Sequence, residues 1–295
     1  MWSLKGPIPS STNIASALII AFVQSVLIMS AILTQAAAPS GAFVISTMRG
    51  SLPLGGSVSN TPVFGLEEKW QPRFPMQVDG LTAKRRDIDL SSGQTAFMLN
   101  GVLTDDECDQ IITVAENIGF REDAPGISTP PGMRMNKALH FIGGEPVCGA
   151  IFNRIKHLLP DEVDGAALAP RGLSHRLNLY KYDDGDVFRR HIDGDWPGYG
   201  LGEDGRSMVE WTDCYSRLSL LLYLNGRGDG VQGGATRLYA SNGTTVDVEP
   251  TKGSALVFRH GMGSGSVLHE GTQVIGDVPK FVARINVMYD NTGRR

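Results

Sequence analysis

Acidic residues are missing from the first 66 positions of this chain, where only Lys5 and Arg49 carry charge. The rest holds 25 basic and 31 acidic residues, so the two parts of the sequence suit different surroundings. Cysteine is scarce: Cys108, Cys148 and Cys214 are odd in number and far apart, which excludes a disulfide framework and a Cys-x-x-Cys zinc site. They read as buried or idle thiols. No basic stripe occurs beyond the short "AKRRD" at 83–87, and the formal net charge is −4, which argues against nucleic acid as a partner. No internal repeat is visible. Apolar residues make up 41% of 295, enough for a sizeable core and too many for a disordered chain.

Within the acid-free part, "IASALIIAFVQSVLIMSAIL" (14–33) carries no charge, and as a helix it would cross the ~30 Å hydrocarbon core. Residues 1–40 are therefore expected to be a membrane signal-anchor or a cleaved targeting segment, with "TQAAAPSGAF" supplying small residues for cleavage. This reading puts the protein in the secretory pathway, endoplasmic reticulum or Golgi. The Ser- and Thr-rich continuation equally suits a bipartite plastid-targeting sequence. Residues 41–75, rich in Gly, Ser and Pro, read as a linker, and the folded domain is expected over 76–292.

"TDDECDQIITVAENIGF" (104–120) opens with a Thr-x-x-Glu capping box and sets Cys108, Ile111, Ile112, Ala115 and Ile118 on one helical face. A second amphipathic helix is expected over 147–159, ended by Pro160. Beyond residue 172 the pattern changes to eight short strand-like runs split by Gly-rich turns, from "RLNLYKY" to "KFVARINVMYD", with no helix between them. The fold class is thus α+β, mainly β: helices flanking an antiparallel sandwich or barrel, the jelly-roll layout.

"YKYDDGDVFRRHIDGDW" (180–196) holds His191 and Asp193 two positions apart on a strand-like run, where alternation points both side chains to one face. A lone His-x-Asp is a weak signal and needs a third ligand. His269, 78 residues later in "VLHEG", lies on another strand that a barrel can bring alongside. Two imidazoles and one carboxylate make the facial triad of non-heme Fe(II) oxygenases, which leaves positions free for reactants. His140 reads as lying in a loop, His157 on a helix and His175 just before a strand, all three as surface or structural residues. His260 reads as a support for the ligands or as exposed.

Here a resemblance becomes specific. "YKYDDGDVFRRHIDGD", "SLLLYLN", "GGATRLY", "VEPTKGSALVFRH" and "LHEGTQVIGDVPKFVARINVMY" resemble, in order and spacing, the catalytic domain of Fe(II)/2-oxoglutarate dioxygenases of the prolyl 4-hydroxylase alpha-subunit type, over roughly 95–290. The resemblance implies a double-stranded β-helix (jelly roll) fold and His191, Asp193 and His269 as iron ligands. It also implies Tyr182, nine residues before the first ligand, as a contact to 2-oxoglutarate. The family's basic residue for the far carboxylate usually stands about ten residues past the distal histidine. Lys280 stands eleven past it, and Arg284 shares its strand face, so both are candidates. The implied activity is hydroxylation of a peptidyl, prolyl-like, or small-molecule substrate with release of succinate and CO2, and L-ascorbate as reductant.

Two other readings stand beside this one: a catalytically silent jelly-roll binding module, and a cupin-like metalloenzyme that uses no 2-oxoglutarate. "GDGVQG" (228–233) satisfies Gly-x-Gly-x-x-Gly but precedes a strand-like run, which excludes a dinucleotide site. The Gly-rich stretch 194–216, with Trp196, Tyr199 and Trp211, is expected to be a long loop beside the site, either a lid over the substrate or an insertion.

Overall fold

The computed structural model describes residues 41–49, 60–90, 93–122, 124 and 129–291. The apolar run 14–33 lies outside them. No helix among the described residues is long and apolar enough to cross a membrane.

In chain order the strands are β1 (Ala42–Arg49), β2 (Asn60–Leu66), β3 (Lys84–Asp87), β4 (Ala96–Asn100), β5 (Lys137–Ile142), β6 (Glu162–Val163), β7 (Ala166–Leu173), β8 (Arg176–Tyr182) and β9 (Phe188–His191). They continue as β10 (Pro197–Leu201), β11 (Met208–Tyr223), β12 (Gln232–Gly233), β13 (Thr236–Tyr239), β14 (Thr245–Val248), β15 (Ala255–Arg259), β16 (Leu268–Gly271), β17 (Val274–Ile275) and β18 (Lys280–Asp290). Each of the eight runs expected beyond residue 172 contains or overlaps one of these strands. The large sheet runs β1-β2-β5-β8-β18-β11-β15-β4-β3, with β7 pairing β18 and β10 pairing β11 off that path, and the small sheet runs β14-β13-β16-β9. Together they make the double-stranded β-helix.

Strand β18 explains where the core and the site divide. Its odd-numbered residues Phe281, Ala283, Ile285, Val287 and Tyr289 join the main apolar cluster with the helices. Its even-numbered neighbours Lys280, Val282 and Arg284 turn to the opposite face and line a pocket between the sheets. None of these eight residues is more than 6% exposed. Burying each such apolar side chain is worth about 1.5–3 kcal/mol, so the odd-numbered face fixes the register that delivers Lys280 and Arg284 to the pocket.

Helix α1 (Asp105–Ile118) has the expected capping box: Glu107 N–H donates to Thr104 Oγ1 at 3.2 Å, and Thr104 N–H to Glu107 Oε2 at 2.9 Å. Cys108, Ile111 and Ala115 are wholly buried on its inner face. Glu107 also receives two bonds from Arg154, at 2.7 and 2.8 Å, an ion pair with both side chains almost fully enclosed. The second helix is less regular than expected. A π-turn at Glu145–Gly149 leads into α2 (Ala150–Ile155), and a tight turn at Lys156–Leu158 ends it.

Three expectations need correction. The stretch 41–75 is not all linker: β1 pairs with β2, and β2 runs parallel to β5 through Val63 and Phe64, which are buried. Pro62 and Gly65 inside β2 are residues depleted in strands, and they hide it from a propensity reading. The stretch 194–216 is largely a β-hairpin, β10 with β11, closed by a turn in which Asp204 Oδ1 accepts from Arg206 N, Ser207 N and Ser207 Oγ. Its glycines are packing residues: a Cβ on Gly198 would come within 2.2 Å of the Trp211 ring. His140 is not in a loop but in β5, 1% exposed, and neither of its ring nitrogens has a hydrogen-bond partner among the described residues.

Candidate metal centre

Strands β9 and β16 pair antiparallel with His191 directly opposite His269, and the two rings lie 4.2 Å apart, centroid to centroid. Asp193 follows two residues after His191. Its Oδ1 is 3.8 Å from His191 Nε2 and its Oδ2 is 3.9 Å from His269 Nε2. One ligand atom from each residue falls within 4.8 Å of the others, the only such group of three or more His, Cys, Asp or Glu side chains among the described residues.

The local backbone settles which imidazole nitrogens are available. His191 Nδ1 is 2.7 Å from the Arg189 carbonyl and His269 Nδ1 is 3.1 Å from the Val267 carbonyl. A carbonyl only accepts, so each Nδ1 carries the proton and each Nε2 presents its lone pair to the centre. Phe188 stacks on His191 with ring centroids 3.6 Å apart, and Phe258 packs against His269 at 4.4 Å, so neither ring is free to swing.

Electrostatics keep the donor set in its ligating form. Burial first, and then the neighbouring His269, pull the His191 imidazole down to about 4, so it is neutral at neutral pH. Burial likewise lowers His269. Burial would raise the Asp193 carboxyl, but Arg284 and then the two imidazoles outweigh it and hold it below the ordinary aspartate value. Two neutral nitrogens and one carboxylate oxygen on one side of a point are a donor set that fits a ferrous ion and leaves the other side open.

Lys280 sits deeper in the same pocket, opposite Tyr182 across the β18–β8 ladder. It is 2% exposed, and its amine donates to the Gly234 carbonyl. Gly234 has φ +68°, and a Cβ there would come within 3.0 Å of Lys280 Cδ, so a side chain would push the lysine aside. Nζ stands 5.1 Å from the Tyr182 ring centroid and 5.7 Å from that of Tyr223. Among the described residues no carboxylate forms an ion pair with it, and burial pulls the amine down to about 7. A buried amine facing a cavity, over two tyrosine rings and in a lining shared with Thr236, fits the far carboxylate of a dicarboxylate such as 2-oxoglutarate.

Arg284 is engaged elsewhere. Its Nε lies 3.0 Å from Asp193 Oδ2 and donates to Ser219 Oγ at 3.2 Å, while Nη2 donates to the Gly194 carbonyl at 3.3 Å. Ser219 Oγ donates to Asp193 Oδ2 at 2.6 Å and sits 2.9 Å from His260 Nδ1. Sequence reasoning named His260 only as a support or an exposed residue, and Ser219 not at all. An isolated serine in a strand such as "RLSLLLYLN" carries no motif that could have marked it.

Residues 177–288, which contain the whole triad and Lys280, match the family model of the 2OG-Fe(II) oxygenase superfamily. No curated protein matches the chain. Among solved structures, the viral collagen prolyl hydroxylase vCPH from Paramecium Bursaria Chlorella virus-1, in complex with 2OG, is 20% identical with a TM-score of 0.44, over 65% of this chain and 95% of that one. A Pseudomonas putida prolyl-4-hydroxylase is 18% identical with a TM-score of 0.39, over 67% and 93%. A Trichoplax adhaerens prolyl hydroxylase, in complex with a hypoxia inducible factor oxygen degradation domain peptide fragment, is 18% identical with a TM-score of 0.48, over 69% and 86%.

Proposed function

We propose that this chain, which carries a 2OG-Fe(II) oxygenase domain in residues 177–288, hydroxylates a prolyl-like residue in a peptide or protein, releasing succinate and CO2. The observation that carries the reading is a His191, Asp193, His269 cluster sharing one pocket with a buried Lys280 that has no carboxylate partner among the described residues. A metal site without a cosubstrate, as in a cupin-like enzyme, gives no reason to bury a lysine without an anion.

In this reading His191 Nε2, His269 Nε2 and Asp193 hold Fe(II), and Lys280 with Tyr182 holds the far carboxylate of 2-oxoglutarate. When bound, the iron and 2-oxoglutarate supply dioxygen activation coupled to oxidative decarboxylation. The chain's own residues orient and exclude. Lys280 fixes one end of the cosubstrate so that its other end meets the metal side of the pocket, and Phe188, Leu221 and Val282 keep that path apolar. Arg284 balances the charge of Asp193 and keeps it ionised. Ascorbate as reductant and peptidyl proline as substrate are supported by the sequence motifs alone. The uncharged run 14–33 supports delivery to a membrane of the secretory pathway, with plastid import as the second reading.

The test is to incubate the protein with Fe(II), 2-oxoglutarate, ascorbate and a proline-containing peptide library. The expected result is a peptide mass gain of one oxygen matched by stoichiometric succinate. Succinate with no oxidised peptide would direct the search to small molecules. Neither product, together with no 2-oxoglutarate binding by calorimetry, would leave a silent binding module.

A further inference from the structure

Outside the triad, the described residues hold one other wholly buried histidine tied to it by hydrogen bonds. His260 is 0% exposed, at the end of β15, with Nδ1 2.9 Å from Ser219 Oγ and Nε2 2.9 Å from Ser216 Oγ. Ser219 Oγ lies 2.6 Å from Asp193 Oδ2, and Trp196 N–H donates to Ser216 Oγ at 2.8 Å.

The proton positions follow from valence. Ser219 has one hydroxyl proton, and the ionised Asp193 can only accept, so that proton points at Oδ2. Toward His260 the Ser219 oxygen must then accept, which puts the ring proton on Nδ1. Nε2 is left with its lone pair, so Ser216 donates to it and accepts in turn from the Trp196 amide. Every donor in the row Trp196, Ser216, His260, Ser219 is directed toward the carboxylate, and a row of this kind is polarised along its length. Burial, and then Arg284, hold the His260 ring neutral, down to about 3, so it keeps one N–H and one lone pair across the working pH range.

The row decides which oxygen of Asp193 is free. Oδ2 receives the Ser219 proton at 2.6 Å and pairs with Arg284 Nε at 3.0 Å, whereas Oδ1 has His191 Nε2 as its near neighbour at 3.8 Å and no donor among the described residues. The backbone adds a second hold, since Gly261 N–H, next to His260, donates to the Asp193 carbonyl at 2.9 Å.

We infer that His260 is a positioning residue for the metal centre: through Ser219 it pins Asp193 Oδ2 and so presents the carboxylate to the ion through Oδ1 alone. The inference rests on the reading of His191, Asp193 and His269 as metal ligands. A one-oxygen ligand keeps a coordination position that a two-oxygen carboxylate would fill. The row also ties Asp193 to the root of the β10–β11 hairpin at Trp196, so the hairpin and the metal carboxylate share one hydrogen-bonded support.

The test uses the full chain, stripped of metal, titrated with Co(II) and read by its visible absorption, with melting temperature and circular dichroism as fold controls. Ser219→Ala and His260→Phe should each weaken Co(II) binding about tenfold or more and alter the Co(II) spectrum. Because the two residues act in series, the double variant should bind no more weakly than the weaker single. His260→Asn, whose carboxamide N–H can replace Nδ1–H toward Ser219, should stay within about threefold of the parent. Unchanged affinity and spectrum in the single variants, or losses that multiply in the double, would overturn the inference. Should His260→Phe not fold, the cycle of Ser219→Ala with Ser216→Ala decides by the same rule. A parent protein that binds no Co(II), or a His269→Ala variant that binds as the parent does, would instead sink the triad reading beneath it.

Discussion

Arg284 and Asp193 form a buried ion pair, Nε to Oδ2 at 3.0 Å, with about 5% and 9% of their side chains exposed. The guanidinium is therefore engaged by the Asp193 carboxylate, and of the two basic residues that share this strand face only Lys280 is left to meet an anion.

The two variants Lys280→Met and Arg284→Met should separate on that ground. Lys280→Met is expected to weaken 2-oxoglutarate binding at least tenfold, measured by calorimetry with Mn(II) present, while Mn(II) affinity stays near that of the parent. Arg284→Met should do the reverse and weaken Mn(II) first, because removing it leaves the buried Asp193 without its paired cation. Equal loss of 2-oxoglutarate binding in both, with intact metal binding, would show that Arg284 also grips the cosubstrate.

Lys280 also sets a pH dependence. Burial pulls its amine down to about 7, and a bound carboxylate raises it again. Above pH 7 the free site must take up a proton to bind 2-oxoglutarate, so affinity should fall by up to tenfold per pH unit until the bound lysine itself titrates. Calorimetry in two buffers of different ionisation enthalpy should find close to one proton taken up at pH 8 and almost none at pH 6. The same depressed value acts on stability with a definite sign. The ligand-free fold is penalised fully below about pH 7, where the buried amine is charged, and the penalty lifts as the pH rises toward the ordinary lysine range. A flat stability profile from pH 6 to 9 in the ligand-free chain would contradict this.

Arg154 and Glu107 tie helix α1 to α2 beneath the large sheet, with side chains 6% and 5% exposed. Breaking one partner of a buried pair strands the other, so Arg154→Met should cost about 3–5 kcal/mol in urea unfolding, and the double replacement by apolar residues should recover most of it. A cost below about 1 kcal/mol would mean that Glu107 is satisfied by the Thr104 cap alone.

Much of this architecture was legible in the sequence for physical reasons. β18 keeps an apolar side chain at every odd position from Phe281 to Tyr289, and α1 announces itself through Thr104 and Glu107, so period and cap gave both. His191 and Asp193 were readable because a two-residue spacing on a strand has one geometric meaning, and His269 because another strand-like run could be laid beside them. What stayed hidden depends on contacts between distant residues. Pro62 and Gly65 masked β2, whose pairing with β5 comes from burying Val63 and Phe64. Gly198 masked the hairpin, since its absent side chain is filled by Trp211. The division of labour between Lys280 and Arg284 depends on where Asp193 lies in space, and Ser219 and His260 are 41 residues apart, so no local pattern could join them.

The account turns on one iron held by three residues beside a lysine that awaits an anion. Equilibrium dialysis of the metal-stripped chain against Fe(II) under argon, with and without labelled 2-oxoglutarate, tests it most directly. The account predicts one iron and one 2-oxoglutarate per chain, both lost in His269→Ala, and 2-oxoglutarate alone lost in Lys280→Met. Iron retained at parental affinity in His269→Ala, or 2-oxoglutarate retained in Lys280→Met, would contradict it.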